Sequence, residues 1–403
     1  MGAHALLLFE RASEHEYLGT PIPDQSLSDP PAAEPYVLAV DGFLLGRLRF
    51  HSGALPLDVG AFETWERWAR ENRPRHLDEI QMLERFGARL AIPLRTQREL
   101  LAVLLLSASS GRETYELAER EVLQYCAGHL TLMIENARLT HRVVEQERLR
   151  RDLALAAEVQ KRLLPEESPQ VVAAELAAVS LPARSVGGDY YDFLELADHR
   201  LGIAIADVAG KGIAAALIMS VVQASLRILT AHCELSLPQL VSKMNQFLHR
   251  STQSNSYATF FYAQFDDETR QLQYVNAGHP PPYLLRVMQR SEVAADVSES
   301  DHHDIQELST GGTVLGLFPG SAYGQATVEL TSGDILLAFT DGVTEALNPS
   351  NEEFGEVRLK AALRAAAPLS VNEIASRISG ELKNWIRDRA QHDDLTFIVM
   401  KVR

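Results

Sequence analysis

The sequence predicts a layered α+β protein in which two domains are joined by a long helix. Three observations point there. The chain has 403 residues, more than one hydrophobic core usually organises, so two domains and a connector are expected. Strand-like and helix-like runs are mixed without the strict alternation of a doubly wound parallel sheet. Near Thr114 the apolar pattern changes from short runs to a three-and-four repeat.

Residues 1 to about 140 open with short apolar runs between breakers, at 5–9, 36–40 and 43–50. The stretch 18–35 holds five prolines and reads as a loop rather than a strand. The runs 90–94 and 100–106 flank a polar turn and predict a hairpin. From Thr114, Leu117, Leu123, Leu130, Ile134 and Ala137 fall at helical spacing, and the helix is predicted to run through the charged stretch 142–151 up to Pro165. Within it Leu149, Leu153, Ala156, Gln160 and Leu163 keep a four-three seam with a polar Gln at one position. A helix packed on its own domain is the plainer alternative, because two heptads are few.

After Pro165 and Pro169 a new domain opens. Residues 201–206 predict a strand ending at Asp207, and 213–230 a helix. Residues 257–265 and 271–276 predict a hairpin. A further strand over 334–340 leads straight into Asp341-Gly342. The last segment, 395–402, is apolar at nearly every position, so both its faces should be covered. The expected division is therefore 1–140, a linker helix over 141–165, and 166–403.

Composition narrows the function. Thirty-eight basic against fifty-four acidic residues leave a net charge of −16, which disfavours nucleic acid as a partner. Cys126 and Cys233 lie far apart with no Cys-x-x-Cys, and read as buried thiols of a reducing cytosol. The longest apolar runs, 100–106 and 335–339, are far below the ~18 residues of a bilayer span. The N-terminus does not look like a secretion signal either. A soluble cytoplasmic chain without a membrane span is expected.

The chemistry concentrates in four acidic signatures: Val186-Gly187-Gly188-Asp189-Tyr190-Tyr191-Asp192, Ala206-Asp207-Val208-Ala209-Gly210-Lys211-Gly212, Thr340-Asp341-Gly342 and His392-Asp393-Asp394. Asp207 and Asp341 each follow an apolar strand and precede a turn, Asp393 stands just before the last strand, and Asp189 follows a Gly pair that lets backbone approach closely. One Asp beside a Gly is usually a simple turn. Four at strand ends can converge on one point, and hard oxygen ligands gathered this way suit Mg²⁺ or Mn²⁺. Lys211 between glycines suggests a phosphate loop, but a Walker A motif needs Gly and Ser or Thr where the chain has Ile205 and Gly212. His302-His303, in the polar stretch 291–310, reads as part of a mobile loop rather than a metal site, and His279 as structural. Neither cysteine is followed six positions later by Arg, so the cysteine-phosphatase signature is missing.

Taken in order with Asn276-Ala277-Gly278-His279-Pro280-Pro281 and Asp393-Asp394-Leu395-Thr396, these signatures resemble the PPM metal-dependent serine/threonine phosphatases, and among them the bacterial SpoIIE/RsbU branch. The resemblance runs from about residue 158 to the end and takes in Val159-Gln160-Lys161-Arg162-Leu163-Leu164-Pro165. It implies an α-β-β-α sandwich with two divalent metal ions, Mn²⁺ or Mg²⁺, at one end. By the same resemblance Asp207 bridges the metals and the Val208 carbonyl binds one of them. Asp189, Asp341 and Asp393 complete the inner shell or hold metal-bound waters, Asp394 matching the ligand position less well than Asp393. Two such ions favour direct in-line hydrolysis of a phosphoserine or phosphothreonine monoester, without a phosphoenzyme. Ala209 departs from the eukaryotic pattern, which has a His there that is often assigned as general acid. Arg184, five residues before Asp189, has the offset of a phosphate-binding arginine and would fork onto a phosphate; a solvated loop arginine is the alternative.

Residues 1 to about 140 resemble a GAF sensory domain, most clearly at Ile92-Pro93-Leu94, through 100–106 and in the helix ending Ile134-Glu135-Asn136-Ala137-Arg138-Leu139. The two resemblances together imply a regulated phosphatase that acts on a phosphorylated anti-sigma-factor antagonist. They also imply a homodimer through the linker helix, with a small-molecule or protein signal at the N-terminal domain. Two rival readings are a catalytically silent scaffold of the same fold and a diguanylate cyclase. The second would have Glu-Phe after Gly187-Gly188-Asp189 in place of Tyr190-Tyr191.

Overall fold

The computed structural model describes residues 6–11, 16–22, 36–51, 53–97, 99–107, 114–232, 234–252, 256–287 and 303–403. The chain divides into two compact units, Met1–Arg148 and Leu149–Arg403.

The first unit is built on a 6-stranded sheet of β1 (Leu6–Arg11), β2 (Glu16–Ile22), β3 (Tyr36–Ala39), β4 (Leu55–Pro56), β5 (Ala88–Arg95) and β6 (Leu100–Ser107), ordered β3-β2-β1-β6-β5-β4 and antiparallel throughout. The alternation of strand side chains divides the hairpin β5–β6 between two cores. Ala91, Val103 and Leu105 face Phe62, Leu44 and Leu83 from α1 (Phe43–Leu48), α2 (Val59–Asn72) and α3 (Leu77–Arg85). Leu90, Ile92, Leu104 and Leu106 face Leu123, Ala127 and Ile134 of α4 (Leu117–Lys161).

The structure adds to and corrects the reading of this unit. The apolar run at 43–50, read from the sequence without an element type, is largely α1. Its first amides, Phe43 N–H and Leu44 N–H, donate to the Glu79 carboxylate of α3 at 2.8 and 2.9 Å, a cap that comes from another element and is invisible to local periodicity. Residues 18–22, read as loop, belong to β2. β3 pairs with β2 only over Glu16–Gly19, so among the described residues no strand pairs with Pro21 on that side and a missing N–H is tolerated. The predicted hairpin at 90–106 is present as β5 and β6. Cys126 is exposed on α4 rather than buried; Cys233 lies outside the described residues.

The helix predicted from Thr114 spans Leu117–Lys161, so Leu163, counted in the seam, falls beyond its end. Within the seam, Leu149 is 57% exposed, and Gln160 turns its amide onto a loop of the second unit's own fold.

The second unit contains two sheets. The first runs β14 (Gly311–Gly312), β11 (Gln271–Ala277), β10 (Ala258–Asp266), β9 (Arg200–Val208) and β8 (Tyr190–Glu195), with β15 (Ala326–Glu329) also on β11. The second runs β13 (His303–Glu307), β12 (Tyr283–Val287), β16 (Ile335–Phe339), β17 (Leu395–Val402) and β7 (Ala174–Leu181). All pairs are antiparallel except the short β11–β14 contact. Part of the polar stretch 291–310 is therefore strand β13; residues 291–302, with His302, lie outside the described residues.

Three cores stack in layers. Ile203, Ile205, Phe261 and Phe265 meet Leu336, Ala338, Ile398 and Met400 between the sheets. Ala215, Met219, Val222 and Leu226 of α5 (Ile213–His232) and Val241, Met244 and Leu248 of α6 (Leu237–Ser251) cover the outer face of the first sheet. Leu359 and Leu363 of α8 (Gly355–Ala366) and Ile374, Ile378 and Leu382 of α9 (Val371–Ile386) cover that of the second. The layering is thus α-β-β-α. By length and composition α5 would also suit a membrane span, the one such helix among the described residues, but its buried face lies in this core. β17, covered on both sides, shows the near-continuous burial its composition required.

Register decides where the acids go. β8 and β9 pair Tyr190 with Ala206, so Asp189 and Asp207 follow side by side just beyond the last pair. β16 and β17 pair Phe339 with Phe397 and send Asp341 and Asp393 beyond the matching end of the second sheet.

Candidate active site

The two strand ends meet. Thr340, the last residue before the four-residue helix α7 (Asp341–Thr344), donates its hydroxyl to Asp189 Oδ2 at 2.8 Å, and its Oγ1 accepts the Thr396 N–H at 3.1 Å. One hydroxyl thereby ties an acid of the first sheet to both central strands of the second.

The electrostatics show how closely the carboxylates crowd. Burial, then the charges of Asp341, Asp393 and Asp394, push the Asp207 carboxyl up to about 7, against a hydrogen bond with Asp189. Asp189 is held well above the carboxylate range by burial and then by Asp207, although Thr396 and Thr340 hydrogen-bond it. Asp341 is raised by burial and by Asp393, against the Gly342 N–H and Lys211. Like charges share this end of the sandwich at a real electrostatic cost. As placed, the side chains form an open row: among the described residues no three Asp, Glu, His or Cys groups close into a cage. The donor set is nonetheless all oxygen, and a divalent cation is the partner that would offset such repulsion.

The Val208 carbonyl fits this set. A Cβ built on Gly188 would stand 2.9 Å from Val208 O, so only glycine at 188 leaves that oxygen uncovered. Next to it, a Cβ on Gly187 would come 2.3 Å from Asp394 Oδ2. The glycine pair, noted in the sequence for close backbone approach, serves two different neighbours.

Asp394, whose charge also reaches Asp207 and Asp189, holds the loop before β8. Its Oδ1 accepts the Ala183 N–H at 2.8 Å and its Oδ2 the Gly188 N–H at 2.7 Å. From the other side the Gln160 amide donates to Gly187 O at 2.7 Å and accepts the Gly187 N–H at 3.1 Å. The segment leading into Asp189 is therefore clamped by Asp394 and by the last turn of α4. Asp192, the second acid of that signature, stands apart. Fully buried, it takes Arg227 Nε and Nη2 at 2.8 and 2.9 Å and the Tyr190 hydroxyl at 2.7 Å.

Lys211 enters the site after all, though not as a phosphate-loop lysine. Its ammonium pairs with Asp393 Oδ2 at 3.0 Å and donates to His392 O at 2.9 Å. Arg184 lies exposed in the same loop as Gly187 and makes no ion pair or hydrogen bond among the described residues. Ala209 donates its N–H to Tyr257 O and presents only a methyl group. His279 is buried, as expected of a structural residue. Its Nδ1 lies 2.9 Å from Thr259 Oγ1, and burial pushes its pKa down to about 3. A neutral ring behind Asp207 is the result.

The residues that sequence reading passed over are those that hold others: Asp394, Gln160, Thr340 and Thr396. Each stood in a motif or seam read from the sequence, Thr340 and Thr396 beside Asp341 and the Asp393-Asp394 doublet and Gln160 in the apolar seam, but none was given a holding role there.

Comparison with known proteins agrees with this architecture. Residues 197–403 match the family model described as Stage II sporulation protein E (SpoIIE); the match takes in Asp207, Asp341 and Asp393 but begins after Asp189. The chain is 31% identical over 262 residues to the phosphoserine phosphatase RsbU of Bacillus subtilis, covering 65% of this chain and 73% of RsbU. It is 31% identical over 277 residues to the protein IcfG of a Synechocystis species and 30% identical over 203 residues to the phosphoserine phosphatase RsbP of Bacillus subtilis. Those matches cover 62% and 49% of this chain and less than half of each relative, 41% and 46%. Among solved structures, the SiaA-PP2C domain of Pseudomonas aeruginosa superposes with a TM-score of 0.54 at 23% identity, over 64% of this chain and 98% of that domain. That likeness concerns the fold.

Proposed function

Because the chain belongs to the SpoIIE family of PP2C-type phosphatases, we propose that it is a regulated protein serine/threonine phosphatase that hydrolyses a phosphoserine or phosphothreonine monoester. What supports this is that the four acids lie at neighbouring strand ends of two sheets, with Asp207 raised to about 7 by burial and then by the charges of Asp341, Asp393 and Asp394. No nucleophilic side chain is needed at such a site. The names of RsbU and RsbP support phosphoserine as the substrate class. A phosphorylated anti-sigma-factor antagonist in a cytoplasmic partner-switching pathway is the substrate we infer.

Asp189, Asp207, Asp341, Asp393 and the Val208 carbonyl would hold two divalent cations, Mn²⁺ or Mg²⁺. When bound, these supply an activated water and neutralise the phosphate. The protein's own contribution is positional. The Gly187-Gly188 loop fixes Asp189, Thr340 orients its carboxyl, and Lys211 brings a cation to the edge of the row. Arg184, exposed and unpaired among the described residues, is free to fork onto an incoming phosphate. With Ala209 in the chain, no histidine is offered there for the leaving group.

We further read residues 1–140 as a GAF-like sensor and α4 as the homodimerising connector. The clamp of Gln160 on Gly187 gives the connector a direct hold on the metal-binding loop. The test of the central reading is Mn²⁺-dependent phosphate release from a phosphoserine peptide. In Asp207→Asn it should fall by about 100-fold or more, since several kcal/mol of transition-state stabilisation is at stake. Undiminished turnover in that variant would overturn the site assignment.

A further inference from the structure

The first unit carries a cleft unrelated to the acidic row. It has a volume of about 610 Å³ and is lined, among others, by Phe43 and Arg47 of α1, Trp65 and Trp68 of α2, and Arg73 and His76 at the turn before α3. That size suits a small molecule.

Its chemistry is one-sided. The Arg47 guanidinium lies 4.5 Å from the Trp65 ring centroid and 5.1 Å from that of Phe43, and no carboxylate pairs with it among the described residues. Stacking on two rings holds the cation in place without neutralising it. Arg73, at the same mouth, is also unpaired among the described residues, whereas the acid of the lining, Asp41, is taken up by Arg75 at 2.8 Å. In a chain of net charge −16 this is a locally positive hollow, which concentrates anions.

Aromatic surface is left open beside those charges. Trp68 remains 43% exposed, and its ring lies 6.5 Å from that of His76. His76 is only 5% exposed, yet its ring nitrogens make no hydrogen bond among the described residues. Those nitrogens keep contact with solvent and stand available to a ligand in the cleft. Burial, with the nearby Arg75 and Arg73 charges, favours the neutral form of His76, which can give one hydrogen bond and accept another.

We propose that this cleft binds a small aromatic anion, its ring against Trp68 and its carboxylate or phosphate on Arg47 and Arg73. Aromatic character answers the open indole of Trp68, and negative charge answers the unpaired guanidinium groups. The binding stands independently of the phosphatase reading, because it involves no residue of the second unit.

Calorimetric titration of the full chain in metal-free buffer tests it, with indole-3-acetate and adenosine 5′-monophosphate as the carboxylate and phosphate probes and indole-3-acetamide and adenosine as their neutral counterparts. At least one anion should bind at one site per chain, roughly tenfold or more tighter than its neutral counterpart, since a charge-assisted bond is lost. Arg47→Ala should weaken that binding by a similar factor, and Trp68→Ala, at an exposed ring that folding does not require, should weaken it as well. Arg70→Ala should bind normally, because Arg70 pairs with Glu66 away from the lining. The proposal is overturned if neutral and anionic probes bind alike, if Arg47→Ala and Trp68→Ala bind as the parent does, or if none of the four probes binds at about 5 mM, beyond the millimolar range of weak sites.

Discussion

Replacing either member of the Asp393-Asp394 doublet with Asn removes one charge, yet the two changes should act on different properties. Asp394 spends its carboxylate on the Ala183 and Gly188 amides at 2.8 and 2.7 Å, and both bonds are part-buried. An N–H bond to a charged acceptor contributes about 1.5–3 kcal/mol, and a stranded buried donor costs about 1–3 kcal/mol. In Asp394→Asn one oxygen remains as acceptor while the new NH₂ is turned towards the other N–H. The second unit should lose about 2–4 kcal/mol of unfolding free energy. Asp393 differs. Its pair with Lys211, with side chains 36% and 34% exposed, is worth at most about 1 kcal/mol. Its removal also withdraws a charge that pushes Asp207 and Asp341 up. Asp393→Asn should therefore leave stability within about 1 kcal/mol of the parent, or raise it.

Urea unfolding followed by circular dichroism measures the first quantity, and hydrogen exchange over residues 183–190 localises it. Faster exchange at Gly188 is expected in Asp394→Asn and not in Asp393→Asn. Both variants should lose Mn²⁺-dependent turnover, one through the loop and the other through the donor set, so activity alone cannot separate them. Equal stability of the two variants, or an unchanged exchange profile in Asp394→Asn, would refute the division of labour.

Gln160→Leu keeps the apolar side of α4 but deletes both bonds to Gly187. Exchange over 186–189 should quicken and kcat should fall about tenfold or more, in line with outer positioning groups of metal sites; unaltered kcat and exchange would show that α4 exerts no hold on the loop. Glu79 supplies a pH test. Burial is the main cause raising its pKa above 4.5, against the Leu44 and Phe43 amides. Between the unfolded and folded pKa values the folded unit then binds more protons, so stability must fall as pH rises through that window and level off above it. Urea midpoints read from Trp65 and Trp68 fluorescence between about pH 4 and 7 should show that slope, and Glu79→Gln should flatten it. A midpoint that climbs with pH in the parent and not in the variant would give the shift the wrong sign.

Much of the second unit was legible because its signals are local. A strand covered on both faces must be apolar at nearly every position, and 395–402 is. Acids at the ends of such strands have one place to go once the strands pair, which is why Asp207 and Asp341 could be singled out before any register was known. The first unit was less legible where the deciding partner is distant. The short apolar run at 43–50 had no local signal for its element type, and its helix α1 is capped by Glu79, some 35 residues later in the chain. β2 extends through Pro21 because β3 stops short of it.

The doublet marks the limit of what residue type can reveal. The two identical acids before β17 take different partners. Asp393 turns to Lys211, and Asp394 to the Ala183 and Gly188 amides. Composition and spacing treat the two alike; the register of β17 with β16 and β7 separates them. Since Asp394 fixes the loop on which Asp189 rides, an acid that spends its oxygens on backbone amides governs the placement of its neighbour. The site is consequently more than the sum of its ligand-like side chains. A substitution at Asp394, Gln160 or Thr340 should disturb Asp189 without altering the number of acids available to a metal.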